Sequence, residues 1–200
     1  MQLAVERLRP QFEDRLKDGL QWTDVAEALS KLSVIQLVQA RNEPRRVWKG
    51  LNSGEGEGAK LLALARLGYA LDPHLTSNCL RWDEVKPHVS HGATATDLRK
   101  ARKSLDTFWF GLLRKAPKLA KLAAMRVLKT KIEHKLRIVG MSWEEFFPVL
   151  NSMPLGMVTA GVNAPDKFLQ KALVGGSPAQ VKKLAMFNLG NSVDFTLKIT

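Results

Sequence analysis

Gln21-Trp22-Thr23-Asp24-Val25, Arg81-Trp82-Asp83-Glu84-Val85 and Ser142-Trp143-Glu144-Glu145-Phe146 are three versions of one pattern: a tryptophan, one or two acids, then an apolar residue. The tryptophans stand 60 and 61 residues apart. A second landmark recurs in the same register, as Trp48 with Gly50-Leu51, Trp109 with Gly111-Leu112, and Phe168 with Ala172-Leu173. A third consists of Ala59-Lys60-Leu61-Leu62-Ala63, Ala120-Lys121-Leu122-Ala123-Ala124 and Val181-Lys182-Lys183-Leu184-Ala185, with Leu67, Leu128 and Leu189 closing each copy. Landmarks that keep one register across several copies are the signature of a repeat architecture. The expected fold is therefore all-α, a helical repeat array of three imperfect repeats of about 60 residues. These span approximately 10–70, 71–131 and 132–192 within a single domain, 1–200, that ends in a tail, 193–200.

Start and stop signals divide each copy into three or four helices. In the first copy Pro44 marks a helix start, and a loop over 53–58 precedes the helix carrying Ala59 to Leu67. In the second, Thr94 or Thr96 caps a helix expected to reach Lys115. Pro117 then opens a long helix to Arg137, with Gly140 as its terminator. In the third, Ser142 and Glu145 form a capping box, Pro148 is expected to interrupt that helix, Pro154 to begin the next, and Pro165-Asp166 to open another. Gly175-Gly176 breaks the chain, Ser177 and Pro178 open a last helix ended by Gly190, and the only β-like alternation is Val193 to Ile199. A unit this small does not easily bury its apolar face alone, so stacked copies share a core. The five tryptophans all fall on repeat landmarks and read as inter-helix packing.

Charge is the strongest functional signal. The formal net charge is +12. Between Arg99 and Arg137 thirteen lysines and arginines face only Asp106 and Glu133, so nearly all the excess lies in that segment. Such a concentration builds a local positive field, and polyanions gain affinity from it by counterion release. The single cysteine, Cys79, leaves no intramolecular disulfide to form. No apolar run approaches the roughly 18 residues of a membrane span. The acids Glu6, Glu13, Asp14 and Asp18 are unlike a secretory or transit segment. An intracellular location is the resulting expectation.

Catalytic constellations are scarce. His88 and His91, spaced i and i+3, have only Cys79 and Asp83 nearby, which matches no standard zinc spacing. Gly54-x-Gly56-x-Gly58-x-Lys60 lacks the Gly-Lys-Ser/Thr end and the preceding strand of a phosphate loop, and its Glu55 and Glu57 repel phosphate. Glu144 and Glu145 are adjacent, so on a helix they point about 100° apart. The chain reads as a non-enzyme with no cofactor and no metal site.

The basic tract remains as the candidate site. Arg114, Lys118, Lys121 and Lys129 would form one helical stripe if the helix ran through or restarted at Pro117, with Lys115 and Arg126 at its flanks. Leu119, Ala123 and Val127 would face a core. Arg99, Lys100, Arg102 and Lys103 form a second cluster, expected at the front of the preceding helix, and Phe108, Trp109 and Phe110 lie between the two. Backbone contacts from these ten cations would give affinity for RNA without base specificity.

Residues 140–165 resemble a unit of the TROVE module, the helical-repeat RNA-binding domain of Ro-type ribonucleoprotein proteins. The likeness rests on Trp143-Glu-Glu-Phe146, Val149-Leu150 and Met153-Pro154-Leu155. The family's Arg-Asn-Leu is replaced here by Gly156-Met-Val-Thr-Ala-Gly-Val-Asn163. The resemblance implies a HEAT-like ring or arc that binds structured RNA through basic surfaces, and it transfers no individual binding residue. The leading expectation is a non-catalytic RNA-binding protein within a ribonucleoprotein assembly such as a ribosome. Two alternatives are a protein–protein interaction scaffold and a helix-turn-helix DNA-binding protein. The last rests on Gly19 to Leu29 as a first helix, followed by a helix over 34–41 poor in polar readers.

Overall fold

The computed structural model describes residues 2–138 and 140–174. Among these the chain is all-helical, with no strand. After two short N-terminal helices, α1 (Gln2–Glu6) and α2 (Arg9–Phe12), and a 3-10 turn (Glu13–Arg15), four helices follow: α3 (Trp22–Ser30), α4 (Val34–Asn42), α5 (Pro44–Ser53) and the long α6 (Glu57–Ser77). The same order of lengths returns in α7 (Trp82–Ser90), α8 (Ala95–Lys103), α9 (Leu105–Lys115) and α10 (Pro117–Ile138), and again in α11 (Trp143–Ser152), α12 (Leu155–Asn163) and α13 (Pro165–Val174). The expected last helix near 178–190 and the β-like tail lie outside the described residues.

Local chemistry explains the boundaries. Helices α3, α7 and α11 start with the tryptophan at the first helical position. In each, the acid two residues later accepts from the backbone N–H just before the helix: Gln21 N–H donates to Asp24 at 2.8 Å, Arg81 N–H to Glu84 at 2.9 Å, and Ser142 N–H to Glu145 at 2.9 Å. The acids therefore satisfy an orphan donor and face the positive helix end. The capping box at Ser142 and Glu145 is present, and Thr94, not Thr96, caps α8, accepting from Asp97 N–H at 3.1 Å.

Two expectations are corrected. The helix starting after Thr94 does not reach Lys115. It stops at Lys103, and Ser104, at φ −138° and ψ 59°, turns the chain into α9. Glu43 (φ −130°, ψ 61°) and Ala164 (φ −137°, ψ 68°) make the same one-residue corner before α5 and α13. At those two sites the next residue is Pro44 or Pro165, which drives its predecessor out of the α region. Leu105 follows Ser104 instead, so the corner there has no sequence signal. Pro148, in turn, does not interrupt α11. It sits at the sixth helical position, as Pro87 does in α7. A proline there removes one backbone hydrogen bond, and the buried Phe146 and Leu150 hold the helix on either side of it.

The chain separates into two compact units, Met1–Ala116 and Pro117–Thr200. In the first, α6 packs against α3 and α5 on one side of the sequence and against α7, α8 and α9 on the other. Its N-terminal core gathers Phe12, Trp22, Val25, Leu29, Leu37, Leu51 and Leu62. In the second unit, α10 packs against α11, α12 and α13 around Leu128, Ile132, Leu136, Phe146, Leu150 and Phe168. Trp22 and Trp109 are buried, and Trp48, Trp82 and Trp143 are half-buried.

Close helix approach explains several glycines. At Gly58 a Cβ would lie 2.6 Å from the Ala28 carbonyl oxygen, so the glycine-rich segment closes α6 onto α3. At Gly68 a Cβ would lie 2.7 Å from the Trp82 indole, whereas Gly111 has no neighbour within 4 Å. The Gly68→Ala variant should therefore lose about 1–3 kcal/mol to overpacking. The Gly111→Ala variant should gain about 0.5–1 kcal/mol from helix propensity. Urea denaturation of the pair, read for opposite signs, checks this.

Candidate polyanion-binding surface

The ten expected binding residues fall in two compact units. Arg99, Lys100, Arg102, Lys103, Arg114 and Lys115 belong to the first unit, and Lys118, Lys121, Arg126 and Lys129 to the second. The chain turns at Ala116 (φ −116°, ψ 74°), which places Arg114 on α9 and Lys118 on α10. The helix restarts at Pro117, and within α10 Lys118, Lys121 and Lys129 share one face. Leu119 and Ala123 are buried as expected, and Val127 is half-buried. The cluster at Arg99 to Lys103 lies in the second half of α8, not at its front, with Lys100, Arg102 and Lys103 in the last turn. There the cations meet the negative end of the helix dipole.

Within the tract the cations divide by what they touch. On α10, Lys121 Nζ donates to the Asn151 carbonyl at 2.6 Å, near the end of α11. Lys131 Nζ donates to the Val162 carbonyl at 2.8 Å, near the end of α12. Lysines that reach a helix C-terminus satisfy orphan carbonyls and oppose the dipole, so these two tie α10 to its neighbours. Lys135 pairs with Asp166. Lys129 Nζ lies 5.6 Å from the Trp143 ring centroid and 3.9 Å from Glu133. By contrast Lys100, Lys103, Arg114, Lys115 and Lys118 are exposed and carry no hydrogen bond or ion pair among the described residues. Of the intervening aromatics, Trp109 is buried, Phe108 half-buried and Phe110 69% exposed.

The first unit also builds a cleft of about 410 Å³ between α5, α6 and α8. Its walls are Leu51, Leu62, Ala63 and Asn52, and its cations are Arg66, Arg99, Arg102 and Lys103. Residues 99, 102 and 103 share one face of α8 because they are spaced i, i+3 and i+4. Arg66 projects from α6 and is fixed twice. It donates to the Asn52 side-chain oxygen, and its guanidinium lies 5.7 Å from the Trp48 ring centroid. Asn52 is oriented in turn by its own amide donating to the Trp48 carbonyl at 2.8 Å.

Electrostatics in the cleft are lopsided. Arg102 pairs with Asp18 at 2.8 Å, and Arg99 with Glu55 at 3.2 Å. Arg99 also donates to the Gly54 carbonyl, at the end of α5. Asp18 sits in a left-handed turn, with φ 59° at Asp18 and 84° at Gly19. The hydrogen bond from Arg102 and its charge hold the Asp18 carboxyl below the usual carboxylate range, and the hydroxyl of Thr96, then Arg99, does so for Glu55. Arg66 makes no direct ion pair among the described residues. Burial, then the positive charge of Arg102, pushes its pKa down, and the Asp18 carboxylate partly offsets this. Its Nε–H is buried with no acceptor, an arrangement that costs about 1–3 kcal/mol.

Arg66 is absent from the sequence-derived set. It lies outside the acid-poor segment, in the apolar stretch from Leu61 to Leu71, where it is the only cation. That isolation was the available signal. Elsewhere, His74 stacks on Trp109 at 5.6 Å and lies 3.2 Å from Asp106, and His88 and His91 are exposed. Among the described residues no group of three or more His, Cys, Asp and Glu is placed to hold a metal, and no helix is long and apolar enough to cross a membrane. Compared with known proteins, the chain matches no family model, no curated protein and no solved structure.

The two classes of lysine differ in what their removal does. The Lys121→Ala variant should lose about 0.3–1 kcal/mol of stability with its helix-end contact, while Lys118→Ala stays within about 0.5 kcal/mol of the parent. Chemical denaturation of both measures the difference. For Asp18, the folded pKa lies below its ordinary 3.8. Its stabilising contribution is therefore complete above that value and lost as pH falls through the depressed one. In Arg102→Ala the Asp18 carboxyl should titrate closer to 3.8, which an NMR pH titration reads directly.

Proposed function

We propose that this chain is a non-catalytic RNA-binding protein built from helical repeats and working within a ribonucleoprotein assembly. The observation that carries the reading is the set of exposed cations at Lys100, Lys103, Arg114, Lys115 and Lys118, which have no hydrogen bond or ion pair among the described residues. A lysine that braces a helix end has its donors occupied. These five have theirs available, in a segment with almost no acids. Phosphate contacts of this kind position a nucleic acid without reading its sequence.

The repeat reading is part of the same proposal. Its supports are the tryptophan starts at 22, 82 and 143, the matching corners at Glu43, Ser104 and Ala164, and the two long helices α6 and α10. Stacked helical repeats offer extended surfaces of the sort that cradle a long polymer. The likeness of residues 140–165 to the TROVE module points to the same class of partner.

A scaffold role is the second reading, and one feature favours it. Val34, Ile35 and Val38 on α4 are 69%, 73% and 56% exposed, beside a groove of about 810 Å³ that Ala4, Leu8 and Leu37 help line. The helix-turn-helix alternative stands beside it: besides Val34, Ile35 and Val38, α4 exposes Gln36, Gln39, Arg41 and Asn42, whose side chains can hydrogen-bond base edges.

Titrating single-stranded RNA at several salt concentrations tests the proposal. Affinity should fall steeply, with a log–log slope of about −0.7 per phosphate neutralised. Changing these four lysines and one arginine to glutamate should abolish binding at about 0.1 M salt, where the Debye length is ~10 Å, while leaving the helical circular dichroism intact. Salt-independent or absent binding by the parent protein would reject the reading.

A further inference from the structure

The cleft between α5, α6 and α8 carries more cationic chemistry than its own carboxylates use. Four cations line it, and two carboxylates, Asp18 and Glu55, pair with two of them. The local balance is two positive charges in excess. Arg66 makes no ion pair of its own among the described residues. It touches a neutral amide and an indole face, it feels two further guanidiniums and the Asp18 carboxylate that pairs with Arg102, and its Nε–H is buried with no acceptor among the described residues. Like charges gathered around a fixed guanidinium are unfavourable unless an anion joins them.

We propose that this cleft is a phosphate monoester site, with Arg66 as its fixed floor and Arg99 and Arg102 as its movable walls. The proposal rests on the RNA-binding reading and names the group that would sit there, a terminal phosphate of an RNA strand. Three observations select that group. A monoester carries about −1.5 to −2 charges at neutral pH, which matches the excess of two, whereas an internal phosphodiester carries only one. Guanidinium forks bind phosphate oxygens in pairs, and Asn52 and Trp48 hold the plane of Arg66 still so that its remaining donors are pre-aimed. At about 410 Å³ the cleft exceeds a bare anion and falls in the size range of small-ligand sites. Leu51, Leu62 and Ala63 supply an apolar wall for the attached nucleoside.

Binding would exchange partners. The phosphate oxygens accept from Arg66 Nε–H and from Arg99 and Arg102, and the carboxylates of Asp18 and Glu55 release those arginines toward the ligand. Both carboxylates are exposed, so water takes over their hydrogen bonds. Lys103, exposed at the edge of the cleft and unpaired among the described residues, adds a positive charge there.

The test compares one oligoribonucleotide with a 5′-phosphate, the same strand with a 5′-hydroxyl, and adenosine monophosphate as the free-nucleotide source. It follows the Arg66 Nε–H resonance by NMR and affinity by calorimetry. The expected result is a shift of that resonance with the 5′-phosphorylated strand, and at least about tenfold tighter binding than the hydroxyl strand, as one charge-assisted contact allows. Both should be lost in Arg66→Met, which keeps the side chain's apolar stem against Trp48. Arg66→Lys keeps the charge but not the fork and should recover only part of the preference. A shift with adenosine monophosphate but no preference between the two strands would assign the site to free nucleotide and overturn the RNA end as its source. If the strands bind equally, Arg66→Met binds like the parent and no ligand moves the resonance, the cleft proposal fails while the RNA-binding reading stands. If no strand binds but adenosine monophosphate moves the resonance, the RNA reading fails and the phosphate site survives. Circular dichroism and the melting temperature of Arg66→Met confirm that the variant is folded.

Discussion

Helices of nine to eleven residues do not hold together in water by themselves, because nucleation costs more than so few hydrogen bonds return. Most of the described helices are of this length, from α3 to α5, α7 to α9 and α11 to α13. What they depend on is packing against two long ones, α6 and α10. Close packing needs small residues at the crossing points. Gly58 beneath the Ala28 carbonyl and Gly68 beneath Trp82 let neighbouring backbones and rings approach to distances that a Cβ would forbid. The second unit uses Gly161 beneath Phe168 in the same way.

That scaffold also decides which charges are available. A lysine near the end of a neighbouring short helix is drawn to its orphan carbonyls, as Lys121 is to Asn151 and Lys131 to Val162. Those side chains belong to the architecture. Lys100, Lys103, Arg114, Lys115 and Lys118 reach no such carbonyl among the described residues and are exposed. One basic tract thus holds two populations, and a count of positive charge does not separate them. The packing of α8 on α6 adds a third outcome, in which Arg99, Arg102 and Lys103 meet Arg66 from a helix they are remote from in sequence.

The helical class and most helix starts were legible because they follow from local rules. Ser142 with Glu145, Thr94, Pro44, Pro117 and Pro165 each act on the few backbone groups beside them, so reading neighbours was enough. Ser104 was not legible, since its corner has no proline after it and is imposed by packing. Pro148 misled for the converse reason: its local cost is real, and burial of Phe146 and Leu150 outweighs it.

The sequence by itself determined that the chain is helical, where its acids cap helices, and that its positive charge is concentrated between Arg99 and Arg137. These depend on contacts within a turn or two of the chain, or simply on composition. Only the tertiary structure decided that the tract is divided between two units, that some of its lysines are occupied by helix ends, and that Arg66 joins Arg99 and Arg102 in one cleft. Those outcomes bring together residues thirty or more positions apart, and their physical cause is the burial of short amphipathic helices on a long one, which no local rule contains.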